Sequence, residues 1–452
     1  MRFLAILLFL GATAHAAPPS EWMGTASAMA EYVDEPVFGG RIALYRAGPR
    51  KGRPVVLVHG LGKAAARDWG RVIPALAARY AVYALDLPGF GDSDKGNHHY
   101  SPENFARVIE ALLKERVKEP FALVGHSMGG AVALAYAAAY PQRVSGLVLV
   151  DAAGVLHRSV YAEFLGRVGA QRALGLDSPW FDTVMRAIQY RVENFPVRGD
   201  LLLENASVRQ RILRGDPNAI AAYALVEHDF SETLPAIKAP TLIIWGAFDS
   251  IAPVRTGQAL AAAIPKARLQ VLEGLGHAPQ IEAPQRFNPI LLDELDGRQV
   301  AAPPYALPAR PIRPGRAGVC QDLRGAEFSG DYDKIVLDNC HDAVVRDARV
   351  GYLRASNSVF RVVNSQLRDG LDARNSRVEL TGVSLGGSMV LDATSVDAAA
   401  VSIDTPSVIA SNYGDDEVAV LRFSVSRVSR TGYAPKPLHD LFRLAPGETL
   451  IR

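Results

Sequence analysis

Charge of one sign is what this 452-residue chain lacks most plainly: 49 lysines and arginines stand against 47 aspartates and glutamates, a net charge of +2. A near-neutral balance gives no field for nucleic acid or for an acidic surface, so no nucleic-acid partner is expected. Long hydrophobic runs are also missing. Phe3–Leu10 is too short to span a bilayer comfortably, and no other run reaches that length. Cysteine is nearly absent, with only Cys320 and Cys340, so at most one disulfide is available. Histidines do not gather as metal ligands: His98 and His99 have no further ligand at suitable spacing, and His228 between Glu227 and Asp229 reads as solvated surface. Neither a metal nor a cofactor is expected.

What is present begins with Phe121-Ala122-Leu123-Val124-Gly125-His126-Ser127-Met128-Gly129-Gly130. A short apolar run ends in G-x-S-x-G and passes directly into the alanine-rich stretch Gly130–Tyr140. Strand, serine, helix is the context of a nucleophile elbow. The turn demands small neighbours, which Gly125 and Gly129 supply, and it leaves the Met128 N–H facing the place where an oxyanion would form.

A serine hydroxyl needs a base, and the base needs an orienting acid. Pro240–Gly246 reads as a buried strand running into Asp249, and Ala267–Leu272 as another running into Glu273-Gly274-Leu275-Gly276-His277. Asp249 and His277 therefore each follow the carboxyl end of a predicted strand, the edge where open parallel sheets collect their chemistry. Asp151, after the strand Leu147–Val150, is an alternative position for the acid. Upstream, the run Pro54–Val58 enters His59-Gly60-Leu61-Gly62, where Gly60 lets backbone approach a substrate and Leu61 N–H is a candidate second oxyanion donor. Asp86–Ser93 is a further turn shaping the site, its acids and serine acting as turn formers.

Taken in order, HGLG, DLPGFGDS, GHSMGG, WGAFDSIAP and GLGHAP resemble the α/β-hydrolase superfamily in its lidded, esterase/lipase-like branch, over about Arg41 to Gly297. The resemblance implies an α/β sheet with a helical cap, Ser127 as nucleophile, His277 as base then acid, Asp249 as orienter, and an oxyanion hole from the N–H groups of Leu61 and Met128. Serine at the elbow disfavours the epoxide-hydrolase and dehalogenase chemistry of relatives with aspartate there. The expected reaction is cleavage of a carboxylic ester or lipid-like small molecule through an acyl-serine. Hydrolysis of a carbon–carbon bond in a β-diketone-type substrate is the alternative, with amide, lactone and perhydrolase activities open.

Met1–Ala16 has a basic start, an apolar core and an A-x-A-like end, so residues 1–16 are expected to be a signal peptide and the mature protein periplasmic or secreted. No membrane-spanning segment is expected after cleavage. The hydrolase domain is expected over 17–298, with a cap at 156–238, including helices over Val160–Leu165, Trp180–Tyr190 and Ala219–Val226. The prolines from Pro303 to Pro314 mark a semi-rigid linker over 299–317.

From 318 to 452 the texture changes to short β-branched runs punctuated by Asn, Asp, Ser and Gly. Asn339, Asn357 and Asn375 recur at one step, Leu353 and Leu371 keep it, and Val390–Ser395 reads as a slightly longer coil. The expectation is an all-β module, a right-handed parallel β-helix whose asparagines ladder along the stack; a small β-sandwich is the alternative. Such a face suits polysaccharide or self-association, although Tyr352 and Phe360 form no aromatic stripe. Cys320 and Cys340, about one coil apart, are expected to form a disulfide in an exported protein. A non-catalytic scaffold presenting this module is the reading from a different class.

Overall fold

Apolar runs bounded by glycine turns build an eight-stranded sheet from β1 (Met29–Glu35), β2 (Gly40–Ala47), β3 (Arg53–Val58), β4 (Tyr80–Leu85), β5 (Phe121–His126), β6 (Val144–Val150), β7 (Thr241–Gly246) and β8 (Arg268–Leu272). The computed structural model describes residues 19–161, 164, 199–298, 316–404, 408–410, 418–429 and 434–451. The expected leader, the helix expected at Trp180–Tyr190 and nearly all of the proline-rich linker lie outside the described residues. The strand order is β1-β2-β4-β3-β5-β6-β7-β8. From β3 to β8 neighbours are parallel, and β1 and β2 form an antiparallel edge.

Parallel strands covered on both faces must be apolar throughout, and β4 and β7 are buried at every residue. Helix Pro102–Leu113 lays one apolar stripe, including Phe105, Val108, Ile109 and Leu112, on the sheet, and its N-cap Ser101 hydroxyl accepts from Asn104 N–H. Helix Met128–Ala139 is buried almost all round, which explains its alanines and glycines: small side chains let it sit between neighbours without an outer polar face. Between β6 and β7 lie helices Ala206–Leu213 and Pro217–Glu227, capped by Asn205 and Asp216. The second spans the helix expected at Ala219–Val226. No helix among the described residues is long and apolar enough to cross a membrane.

The C-terminal residues form a large curled sheet of 16 strands, most of them parallel. Its registers follow the repeat: Ile335 pairs with Leu353, Leu353 with Leu371 and Leu371 with Met389. All four are fully buried inside the curl. Asp322, Asn339, Asn357, Asn375 and Ala393 take positive φ at successive turns, the left-handed conformation that asparagine and aspartate tolerate best. The amide ladder is partial: Asn375 donates to Asn357 at 2.7 Å, while Asn339 donates to Asp322. The coil at Val390–Ser395 is not longer than its predecessors. Val390 pairs with Asp372, and Ala393 takes the turn position that Asn375 holds one step earlier. The longer step comes next, where Ser395 pairs with Val420. Cys320 and Cys340 are joined by a disulfide.

Candidate active site

Ser127 follows β5 with φ 53° and ψ −119°, a conformation L-residues rarely adopt. Neighbouring backbone holds it there. Its N–H donates to Val150 O at 2.9 Å, and its carbonyl accepts from Gly130 N–H at 2.9 Å and Ala153 N–H at 3.2 Å. The glycines are required by contact rather than by flexibility. A Cβ on Gly125 would stand 2.2 Å from Gly129 O, and one on Gly129 2.3 Å from Val58 O.

The carboxyl ends of β5, β7 and β8 bring three side chains into one hydrogen-bonded chain. His277 Nε2 lies 2.9 Å from Ser127 Oγ, and Nδ1 lies 2.7 Å from Asp249 Oδ2. A carboxylate only accepts, so Nδ1 carries the proton and Nε2 offers its lone pair to the serine hydroxyl. Asp249 is itself fixed: Oδ1 accepts from Ile251 N–H at 2.7 Å and Ala252 N–H at 2.9 Å.

Asp151, the alternative acid, does not take this place. Its Oδ1 accepts from Gly246 N–H at 2.8 Å, at the end of β7, and its Oδ2 is buried with no hydrogen-bond partner. Burial, reinforced by the nearby Asp249 charge, pushes the Asp151 carboxyl well above its ordinary range.

The turn after β3 carries Gly60 and Leu61. A Cβ on Gly60 would lie 2.9 Å from Ser127 Cβ, so only glycine lets this loop close over the nucleophile. His59 braces the loop, with Nδ1 donating to Gly60 O at 2.7 Å and Nε2 accepting from Leu87 N–H at 3.0 Å. Burial lowers its pKa and keeps the ring neutral, as that bonding pattern requires. Asp86 accepts from Ala66 N–H, Asp92 N–H and Tyr45 Oη, the turn-forming work expected of it.

Two residues near the site carry no signal in the sequence. Asn218, on helix Pro217–Glu227, accepts from Gly62 N–H at 3.1 Å and so ties that helix to the Leu61 loop. His126, the residue before the nucleophile, donates from Nε2 to His277 O at 2.8 Å. Burial, then the neighbouring His277, pushes His126 down to about 3, so it stays neutral. A buried strand-end residue shows its partner only once the strands are ordered.

His126, Asp151 and His277 could each offer an atom to a metal within 4.8 Å of one another, but both ring nitrogens of His277 are already engaged by Ser127 and Asp249. His228 is not solvated surface: its Nδ1 lies 3.0 Å from Glu103 Oε1, and its side chain is largely buried. A cavity of about 560 Å³ borders Asp249, between Leu156–Val160, Arg255 and the curled sheet at Val344 and Val363.

Residues 53–284 match the family model described as alpha/beta hydrolase fold. A 2-hydroxy-6-oxononadienedioate/2-hydroxy-6-oxononatrienedioate hydrolase of Cupriavidus pinatubonensis is 34% identical over 251 residues, 53% of this chain and 86% of that protein. A protein of the same name from Paraburkholderia phymatum is 31% identical over 60% of this chain and 97% of its own length. Among solved structures, a thermophilic esterase from Thermogutta terrifontis is 28% identical with a TM-score of 0.43, covering 60% of this chain and all of that one.

Proposed function

This chain belongs to the alpha/beta hydrolase fold family, and on that premise we propose that it is an exported serine hydrolase cleaving carboxylic esters through an acyl-serine. The observation that carries the reading is the continuous Asp249–His277–Ser127 chain, at 2.7 and 2.9 Å, on the carboxyl edge of the sheet. Ser127 Oγ passes its proton to His277 Nε2 and bonds to the ester carbonyl carbon. The N–H groups of Leu61 and Met128 receive the oxyanion. The tetrahedral intermediate collapses as His277 returns the proton to the leaving alcohol. Water then gives a proton to His277 and bonds to the acyl carbon, and the second intermediate collapses as the bond to Ser127 Oγ breaks and His277 returns that proton to it, freeing the acid. Asp249 fixes the tautomer and stabilises the imidazolium.

The second reading uses the same three residues on a carbon–carbon bond. The names of the two relatives favour it, since both are hydrolases of 2-hydroxy-6-oxo dienedioates and trienedioates. Export by the leader at residues 1–16, to a periplasm or beyond, favours the ester instead, because the carbon–carbon enzymes are usually cytoplasmic. The division into hydrolase domain 17–298, linker 299–317 and module 318–452 belongs to the proposal. So does reading the curled sheet as a right-handed parallel β-helix, supported by registers 18 residues apart.

The test is labelling of the purified protein by a fluorophosphonate, wild type beside Ser127→Ala. It is followed by turnover of p-nitrophenyl esters from acetate to laurate and of a 2-hydroxy-6-oxo dienoate. Labelling lost in the variant, with ester turnover, supports the reading. Labelling that persists in Ser127→Ala refutes it, and turnover of the dienoate alone moves the assignment to the carbon–carbon reaction.

A further inference from the structure

Arg255 is the second residue of helix Val254–Ala263, which begins directly after the Asp249 turn. Its guanidinium leaves the eight-stranded half of the molecule and enters the curled sheet. Nε donates to Thr381 Oγ1 at 2.9 Å, and Nη2 donates to the carbonyls of Asp397 at 2.8 Å and Leu380 at 3.2 Å. Nη1 reaches Asp397 Oδ2 at 3.4 Å, and Glu379 Oε1 lies 3.5 Å from Nε. Glu379 and Asp397 are direct partners on adjacent strands of the curled sheet, so two carboxylates stand side by side where the cation arrives. The Arg255 side chain is only 10% exposed. A planar five-donor fork gripped this way is held in direction as well as in place.

The turn between Asp249 and this helix is held from both halves of the molecule. On one side Trp245 Nε1–H donates to Ala252 O at 3.1 Å. On the other, three residues beyond Ala252, stands Arg255. Ala252 N–H is one of the two donors that fix Asp249 Oδ1, so the Arg255 anchor and the acid share a short, fully bonded segment. Among the described residues the halves also meet elsewhere. His157 N–H donates to Ser424 Oγ at 2.8 Å, and Leu156, Val160 and Ala259 pack on Ala399.

Resting on the serine-hydrolase reading above, we propose that Arg255 is a positioning residue through which the C-terminal sheet holds the Asp249 turn, and thereby the orientation of His277. The appended sheet is then part of the hydrolytic machinery, acting through the acid rather than by touching substrate. A displacement of about 1 Å at a reacting group costs on the order of 100-fold in rate. Loosening the Arg255 anchor is expected to cost about 10- to 100-fold in kcat, with KM changed by less than about threefold.

The experiment compares wild type, Arg255→Ala and Arg255→Lys with a triple variant, Arg255→Met, Glu379→Gln and Asp397→Asn. The triple change removes the cation and both anions together, so neither Arg255 nor its two carboxylates is left behind without the other. Each protein is checked for a cooperative thermal transition, then assayed for kcat, KM and the pH profile of kcat/KM on a p-nitrophenyl ester. Among the described residues, the titratable groups around His277 are Asp249, Asp151 and His126, with Tyr161 and Glu282 facing the two acids. None of these is altered by the variants. A less firmly held Asp249 stabilises the imidazolium less, so the acid limb should move to lower pH while kcat falls, with Arg255→Lys restoring part of both. Folded Arg255→Ala and triple variants with wild-type kcat and an unmoved acid limb would overturn the inference alone. A folded wild type that neither labels with fluorophosphonate nor turns over ester would overturn the serine-hydrolase reading and this inference with it.

Discussion

Asp249→Asn is the substitution whose outcome the geometry constrains most tightly. The amide has the shape of the carboxyl, and its Oδ1 can still accept from Ile251 and Ala252 N–H, so the turn should survive. What changes is the atom 2.7 Å from His277 Nδ1. An acceptor becomes an NH₂ donor, and His277 must answer by presenting a bare Nδ1. Its proton then sits on Nε2, 2.9 Å from Ser127 Oγ, where a lone pair is needed. The base is lost as a base, and the imidazolium that forms during attack loses its counter-charge. In a Ser-His-Asp arrangement this change lowers kcat by about 10⁴-fold, or about 5 kcal/mol of transition-state stabilisation.

The assay is kcat/KM on the best p-nitrophenyl ester, with the thermal midpoint measured on the same samples. An Asp249→Asn protein within about tenfold of wild type, and equally stable, would refute the assignment of the acid. The companion is Asp151→Asn. Asp151 accepts from Gly246 N–H, while His277 Nδ1 is taken by Asp249, and asparagine can keep the Gly246 bond. Its activity should stay within about threefold of wild type, since no group that touches the reacting atoms is changed. If the two variants ranked the other way, the acid would be Asp151.

Asp151→Asn should also change how stability responds to pH. Burial, then Asp249, raises the folded carboxyl above the unfolded one, so its contribution is complete below about pH 4 and is lost as pH rises through the folded value. The variant should gain stability over wild type between about pH 5 and 8, and parallel thermal-midpoint curves would contradict this. At the contact between the two sheets, burial first, then His439 and Arg158, pushes His157 down to about 3. Its ring lies 5.6 Å from that of His439, which burial also depresses. Both contributions are complete above about pH 6.5 and fade as the pH falls below it, at up to about 1.4 kcal/mol per pH unit for each histidine. His157→Asn should therefore weaken the loss of denaturant resistance between about pH 7 and 5; an unchanged slope would show that His157 takes up its proton without unfolding.

What is legible in the sequence depends on how local each constraint is. Gly125 and Gly129 announce the elbow because the glycines and the serine lie within five residues, even though the backbone that Gly129 avoids belongs to Val58 and His59 at the end of another strand. Asp249 and His277 can be placed because strand ends are marked by the switch from apolar run to glycine turn, and all parallel strands deliver their ends to one edge. The choice of Asp249 over Asp151 comes from the resemblance and not from the strand pattern. Both follow apolar strands, and they differ only in which loop points at His277 and which carboxyl lies beneath Gly246. The repeat is readable from Asn339, Asn357 and Asn375, but the turn at Ala393 is not, since nothing in alanine announces a left-handed residue. Arg255 is wholly illegible. An arginine at the start of a helix reads as solvated surface until the fold carries Glu379 and Asp397, more than a hundred residues on, to its guanidinium.

The Arg255 contact bears on how the two halves work together. Four loops at the carboxyl edge supply Leu61, Ser127, Asp249 and His277, and all four are braced from within the eight-stranded half, the Asp249 turn by Trp245. His59 holds the Leu61 loop, Val150 O and Ala153 N–H hold Ser127, and His126 holds the His277 carbonyl. Among the described residues, only the Asp249 turn takes an anchor from the curled sheet. A perturbation of that sheet should therefore reach catalysis through the tautomer and stabilisation of His277, not through oxyanion binding or the pitch of the serine. The two routes separate experimentally. Loss through the acid moves the pH profile and lowers kcat for every ester alike, whereas loss through the Leu61 loop, which Asn218 ties to helix Pro217–Glu227, would change discrimination along the acyl series.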